Sequence, residues 1–354
     1  MDALVVTAPA NIRYLANHVG TAGTLVMTQG GAHLLVDFRY QEAVRSVQVS
    51  EAACPGLRVW PVPASYDEAL ASTLVELGTV TAGIEALNLT VARHEWLLRV
   101  LASRGSGITL RSTERVVEQL RLVKDPCEVV ALRHAAERVS AVASEAFAAV
   151  RAGVTEREVA AVIEGALRSA GYERPAFDTI VASGPHSALP HHRAGSRTLA
   201  AGDLVVLDFG GFLDGYCSDL TRTVSVGQPS LEARRLHGAV RDAQAAAIAA
   251  VRPGVAATAV DFAARQVLVA HGLDEAFGHG TGHGLGLDVH EEPRVSQPRP
   301  DVPPTLLEPG MVFTIEPGAY LAGFGGVRIE DDVLVTEAGC EVLTSVPRDL
   351  RVCG

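Results

Sequence analysis

The sequence predicts a small α/β domain over residues 1–123, followed by a larger α+β domain over 124–354 that is built from two related halves. Three observations carry this. Short apolar runs alternate with helical patterns early in the chain. A strong helix-start signature stands at Asp125-Pro126-Cys127-Glu128. A segment near residue 150 is echoed near residue 251.

In the first domain Ala3–Thr7, Thr24–Met27, Leu34–Asp37 and Ala82–Glu85 read as strands. The segments 39–48, 67–77 and 91–103 read as helices between them. The second domain opens where Asp125 can cap a helix, Pro126 suits its first turn and Glu128 can reach back to the cap. Val129, Leu132, Ala136, Val139, Ala143, Ala146 and Val150 then form one apolar stripe at helical spacing. The echo pairs Ala149-Val150-Arg151-Ala152-Gly153-Val154 with Ala250-Val251-Arg252-Pro253-Gly254-Val255. Each copy follows a long Ala-rich helix and precedes a second helix, which ends near Gly171 or Gly272. A strand pair bearing acids comes after each, so both halves read as helix–helix–hairpin. Residues 297–304 hold four prolines and read as a loop.

Composition narrows the function. A chain that is 48% hydrophobic and 20% charged can bury a sizeable core. Its net charge of -11 argues against nucleic acid as a partner, because phosphates need clustered Lys and Arg. The five cysteines are scattered without a C-x-x-C, as expected of thiols in a reducing compartment. Met1-Asp2-Ala3-Leu4 lacks the basic start of a signal peptide, and no apolar run approaches the ~20 residues that span a bilayer. A cytoplasmic protein that touches no membrane is expected.

The chemistry concentrates in buried acids. Asp208 interrupts the apolar strand Leu204-Val205-Val206-Leu207, and a buried carboxylate is costly unless paired or metal-bound. The chain turns near 213–215 and returns through Ser218-Asp219-Leu220. With Leu213-Asp214 in the turn, Asp208 and Asp219 lie opposite each other; with Asp214-Gly215 they are diagonal neighbours. Either register puts both on one face, where a cation relieves their repulsion. The second half repeats this with Glu316 at the end of Met311–Ile315 and Glu330 after the turn Gly323-Phe324-Gly325-Gly326. His283, inside the glycine-rich His279–Gly286, supplies a nitrogen ligand where backbones can approach closely. Singly, each acid could be a core, cap or surface residue; together in a duplicated frame they point to metal. Four carboxylates and an imidazole suit Mn²⁺, Co²⁺, Fe²⁺ or Zn²⁺ better than Ca²⁺, and can bridge two ions ~3.5–4 Å apart.

At these residues the sequence resembles the pita-bread metallopeptidases (family M24), which include prolidases, Xaa-Pro aminopeptidases and methionine aminopeptidases. The matching motifs are Phe177–Gly184, Leu189-Pro190-His191, Leu207-Asp208-Phe209-Gly210, Ser218–Arg222, Gly280–Gly284, Val289-His290-Glu291, Thr314–Gly318 and Val327–Asp331. In the first domain Asn11–Leu15, Gly20–Gly23 and Val36–Tyr40 resemble the N-terminal domain of the Xaa-Pro peptidases, which methionine aminopeptidases lack. Creatinase shares the fold without these five ligands.

The resemblance implies a pita-bread domain with pseudo-two-fold symmetry, two divalent ions per chain (Mn²⁺ foremost, Co²⁺ or Zn²⁺ as alternatives) and commonly a homodimer. It implies cleavage before a proline at position two, a tertiary amide that general peptidases handle poorly. Glu316 would move the proton of the attacking water to the proline nitrogen. His191 and His290 would hydrogen-bond the carbonyl and the tetrahedral intermediate, and Arg328 would pair with a ligand carboxylate. His279 is either a supporting or a scaffolding residue. A dipeptidase must bind a free carboxylate near the scissile bond, and arginine is the natural clamp. Arg294 matches an arginine seen in several prolidases, while Arg39 or Arg45 could serve instead. Phe177 lines the first-residue pocket or packs in the core. The expected substrates are Xaa-Pro dipeptides. Xaa-Pro aminopeptidase action on longer peptides is the alternative, and a catalytically silent peptide-binding module is the remote one.

Overall fold

A computed structural model describes residues 1–300 and 302–354. The chain divides into two compact units, Met1–Arg121 and Leu122–Gly354.

The first unit is built on a six-stranded sheet ordered Arg58–Pro61, Gly31–Val36, Thr24–Thr28, Ala3–Val6, Thr81–Glu85, Thr109–Thr113. Ala3–Val6 runs antiparallel to Thr24–Thr28 and parallel to Thr81–Glu85. The helices Phe38–Gln48, Tyr66–Glu76 and Val91–Ser103 fall where periodicity expects them. Asp37 is not the end of a strand, as expected, but the N-cap of the first of these, accepting from the Arg39 backbone. Three further elements escape a periodicity search. The strands Arg58–Pro61 and Thr109–Thr113 lie at the two edges and are largely exposed, so they carry little apolar signal. The helix Pro9–Ala16 has only eight residues, and its cap position, Ala8, offers no side-chain acceptor. Glu85 serves instead from across the sheet: its carboxylate accepts from Thr7 N at 2.6 Å, Ala8 N at 2.8 Å and Asn11 Nδ2 at 2.7 Å. A carboxylate at a helix N-terminus satisfies free N–H groups and complements the helix dipole.

The second unit shows its duplication directly. Helices Pro126–Ala149 and Glu156–Ser169 precede the hairpin Leu204–Leu213/Tyr216–Val226. Helices Leu231–Ala250 and Ala257–Ala270 precede a second long antiparallel pairing. The expected capping box at Asp125 and Glu128 forms, and Thr155 with Glu158 forms another. The described residues of 297–304 form neither helix nor strand; Asp301 lies outside the described residues. Each half has its own apolar core. One is centred on Val139, Ile163, Leu207 and Phe209, the other on Val240, Leu268, Phe313 and Ile315.

One core residue makes stability depend on pH. His237 is 3% exposed, and burial, reinforced by Arg241 and Arg222 against an opposing Asp349, holds its imidazole down at about 4. An unfolded histidine titrates near 6.5. As pH falls through 6.5 the unfolded chain takes a proton that the native chain refuses until about 4. Stability therefore drops across that window, by at most ~3 kcal/mol. Urea unfolding at pH 7 and pH 5 should give a smaller difference for His237→Leu than for the wild type.

Candidate metal centre

Strand parity builds the first acidic pair. In the hairpin, Thr221 faces Asp208 and Asp219 faces Gly210, with Asp214-Gly215 in the turn. Asp208 and Asp219 are thus diagonal neighbours on one face. The second pair sits at a break in its ladder. Val312–Ile315 pairs with Asp331–Thr336, and Gly318–Leu321 pairs with Gly325–Arg328, in one continuous register. Glu316 and Glu330 fall opposite each other at the break, where Pro317 has no N–H to offer. Residues 322–324 make the turn, so Gly325 and Gly326, expected in it, belong to the returning strand.

The two pairs meet along the seam between the halves. Glu330 N donates to Thr221 O at 3.0 Å, and Thr221 Oγ1 donates to Glu330 Oε2 at 2.6 Å. Asp219 N donates to Asp332 Oδ2 at 3.2 Å. His283 comes from the strand Gly282–Gly284, whose flanking glycines are required by close approach. A Cβ on Gly282 would lie 1.8 Å from Thr314 O, and one on Gly284 would lie 2.0 Å from Glu292 O. His283 Nδ1 faces the Gly284 carbonyl at 3.1 Å, which assigns the ring proton to that nitrogen. Its Nε2 lone pair then faces Glu316 Oε1 at 3.6 Å and Asp219 Oδ2 at 3.9 Å.

The electrostatics are those of a cation site. Burial pushes Asp219 far up, with Glu330, Asp208, Asp332 and Glu316 adding to it. Burial raises Glu330 likewise, with Glu316 and Asp208 next in importance. Glu316 rises to about 7 through burial, opposed by Arg328 and reinforced by Asp208. Burial, helped by His290, lowers His283 to about 4, so its ring is neutral and able to bind metal. Asp208 Oδ1, Asp219 Oδ1 and Glu330 Oε1 are buried without a hydrogen-bond donor. Such oxygens are costly in a native structure, and a divalent ion would satisfy them and hold every carboxylate ionised.

Around this cluster Arg328 is 4% exposed. It donates to Asp208 Oδ2, to Tyr320 OH at 2.8 Å and to Pro190 O at 3.3 Å. His279 meets the same Tyr320 hydroxyl at 3.0 Å, so it supports that network. His290 stacks edge-on against His283, their ring centroids 4.4 Å apart, and burial keeps it below the usual histidine value. His191 follows a short 3-10 turn at Gly184–Ala188 and is exposed; its charge disfavours protonation of His279 and His290. Arg294 pairs across the strands with His283, and its exposed guanidinium has Glu292 at 3.8 Å. Phe177 is half-buried in the loop before Ile180–Ser183 and is absent from the apolar cores. Arg39 lies in the first unit, forked onto Asp37 at 3.0 and 2.7 Å, and Arg45 there pairs with Glu42.

Tyr320 and Asp332 were not anticipated. Parity is the signal that could have found them: Tyr320 lies four residues from Glu316, and Asp332 two from Glu330, each on the same face along an extended strand.

Residues 130–337 match the profile of Metallopeptidase family M24, and residues 1–123 match the Creatinase/Prolidase N-terminal domain. A protein named Xaa-Pro dipeptidase from Pyrococcus furiosus is 34% identical, over 99% of this chain and 95% of its own. The solved Xaa-Pro dipeptidase from Bacillus anthracis superposes with a TM-score of 0.91 at 36% identity, covering 99% and 95% of the two chains. An X-Pro aminopeptidase from Thermotoga maritima does so with a TM-score of 0.87 at 34% identity, covering 99% and 96%. Among the described residues no helix is long and apolar enough to cross a membrane. The chain belongs to metallopeptidase family M24, a family of hydrolases, and joins its catalytic domain to a Creatinase/Prolidase N-terminal domain.

Proposed function

We propose that this protein is a metal-dependent Xaa-Pro dipeptidase. The observation that carries the reading is the cluster of Asp208, Asp219, His283, Glu316 and Glu330 with its donor-less carboxylate oxygens, set in a chain similar over nearly its full length to Xaa-Pro dipeptidases. These five residues would hold two divalent ions. Mn²⁺ is favoured by the oxygen-rich donor set, with Co²⁺ or Zn²⁺ as alternatives. When bound, the ions supply Lewis acidity and a water that is acidic near neutral pH.

The protein's own groups do the rest. Glu316 accepts the proton of the attacking water and delivers it to the proline nitrogen, which has no hydrogen of its own and needs one to leave. His191 and His290 donate N–H groups to the scissile carbonyl and to the oxyanion that forms from it. Arg328 holds Asp208 in its ionised, oriented form. Phe177 lines the pocket of the first residue. The reading includes a homodimer, supported by the family resemblance, and a cytoplasmic location, supported by five cysteines without a disulfide.

Substrate length turns on the carboxylate clamp. Arg294 beside His283 favours dipeptides, whose free carboxylate lies one residue beyond the scissile bond. Arg39 is a weaker candidate because Asp37 already occupies its fork. The similarity to an X-Pro aminopeptidase favours the second reading, action on longer peptides. Hydrolysis of Ala-Pro and Ala-Pro-Ala by Mn²⁺-loaded protein separates them. Arg294→Ala is expected to raise KM for Ala-Pro ~10–100-fold, the worth of a charge-assisted pair, and to spare the tripeptide. Equal or faster cleavage of the tripeptide by the wild type would make the protein an aminopeptidase.

A further inference from the structure

A second cluster of metal-ligating side chains lies outside this centre. Glu156 opens the helix Glu156–Ser169, and its side chain is 0% exposed. His186 Nδ1 lies 2.9 Å from Glu156 Oε1, and His192 Nε2 lies 2.8 Å from Oε2. The two rings are 4.2 Å apart between centroids and tilted by 34°. One donor atom from each of the three residues lies within 4.8 Å of the other two.

The charge at this place is unusual. A fully buried carboxylate needs a counter-charge. Among the described residues no Lys or Arg forms an ion pair with Glu156. The nearby Arg197 is spent on Asp203, at 2.6 and 3.1 Å, and on Ser183 Oγ. Burial opposes ionisation of Glu156, but hydrogen bonds from His192, Ser183 and His186 bring it down to about 2. Two imidazoles meet the anion directly, and Arg197 attracts it from farther off. Ser183 N and Oγ and Gly195 N also donate to it, at 2.9, 2.7 and 3.2 Å, and fix the orientation of the carboxylate. Groups in that position are what hold a ligating carboxylate in metalloproteins.

We infer that Glu156, His186 and His192 form a mononuclear site for a divalent transition ion, zinc by preference, separate from the candidate catalytic centre. Two imidazoles and one carboxylate are an established zinc donor set that leaves a position open, here toward solvent beside the half-exposed His186. Binding places the imidazole protons on His186 Nε2 and His192 Nδ1, so that Nδ1 and Nε2 present lone pairs to the ion. The consequence is mechanical. His186 and His192 flank His191, so the ion staples both sides of that residue to the start of a helix. The value of this for turnover rests on the role given to His191 above; the site itself does not.

The test counts metal without turnover. The full-length protein is equilibrated with excess zinc, desalted and analysed for metal per chain. His186→Gln/His192→Gln should hold one zinc fewer than the wild type, and Glu330→Gln should keep this zinc while losing metal elsewhere. If the double variant folds poorly, His186→Ala at the half-exposed position gives the same comparison, with a ~10-fold or greater loss of zinc affinity at this site. Equal zinc content and affinity in the wild type and in either histidine variant would overturn the inference and leave the catalytic reading untouched.

Discussion

Glu330→Gln is expected to cut Ala-Pro hydrolysis at least ~10³-fold, a loss of ~4 kcal/mol in transition-state stabilisation. The residue is 2% exposed, with one carboxylate oxygen taken by Thr221 and the other without a donor. Glutamine keeps the shape and the Thr221 contact but removes the charge that a dication needs. A second effect of opposite sign distinguishes this from simple misfolding. Without metal, Glu330 shares a buried cluster with Asp208, Asp219 and Glu316, and their mutual repulsion weakens the folded state. The variant should therefore unfold at a higher temperature than the wild type in chelator, and gain less from added Mn²⁺. A variant with full activity and an unchanged metal response would remove Glu330 from the centre.

The largest stability loss is expected from Arg328→Met. Its guanidinium is the buried cation facing Asp208, and it also binds the Tyr320 hydroxyl and the Pro190 carbonyl. Removing one member of a buried ion pair costs about 3–5 kcal/mol, because the partner is left charged and dry. Asp208 would be the group stranded, and it already has an oxygen without a donor. Metal affinity should fall ~10–100-fold, since the carboxylate loses the group that aims it. Arg328→Lys should recover little. A single ammonium cannot reproduce a planar fork reaching Asp208, Tyr320 and Pro190 together. Urea midpoints and a Mn²⁺ titration measure both effects; a loss below ~1 kcal/mol would mean that Asp208 is neutral or otherwise paired.

Much of this site could be read from the chain because its geometry depends on local counting. A period of two puts Asp208 and Asp219 on one face for either of the two-residue turns near Asp214. The odd loop 322–324 does the same for Glu316 and Glu330. The cap at Asp125 and the repeated helix pairs were legible for the same reason. What escaped depends on contacts between distant segments. Tyr320 matters only because Arg328 and His279 converge on it from different segments of the chain. The Glu156 cluster joins residues 30 and 36 positions apart. The edge strand Arg58–Pro61 is exposed and offers no alternation to detect.

The Glu85 carboxylate orders events in time as well as space. The helix Pro9–Ala16 has no acceptor of its own at its start and borrows one from a residue 78 positions later. Eight residues are too few to persist alone in water. The helix becomes stable only after the chain has been made as far as Thr81–Glu85 and that strand has docked beside Ala3–Val6. The stability of this short helix therefore rests on closing a long loop between residues 7 and 85.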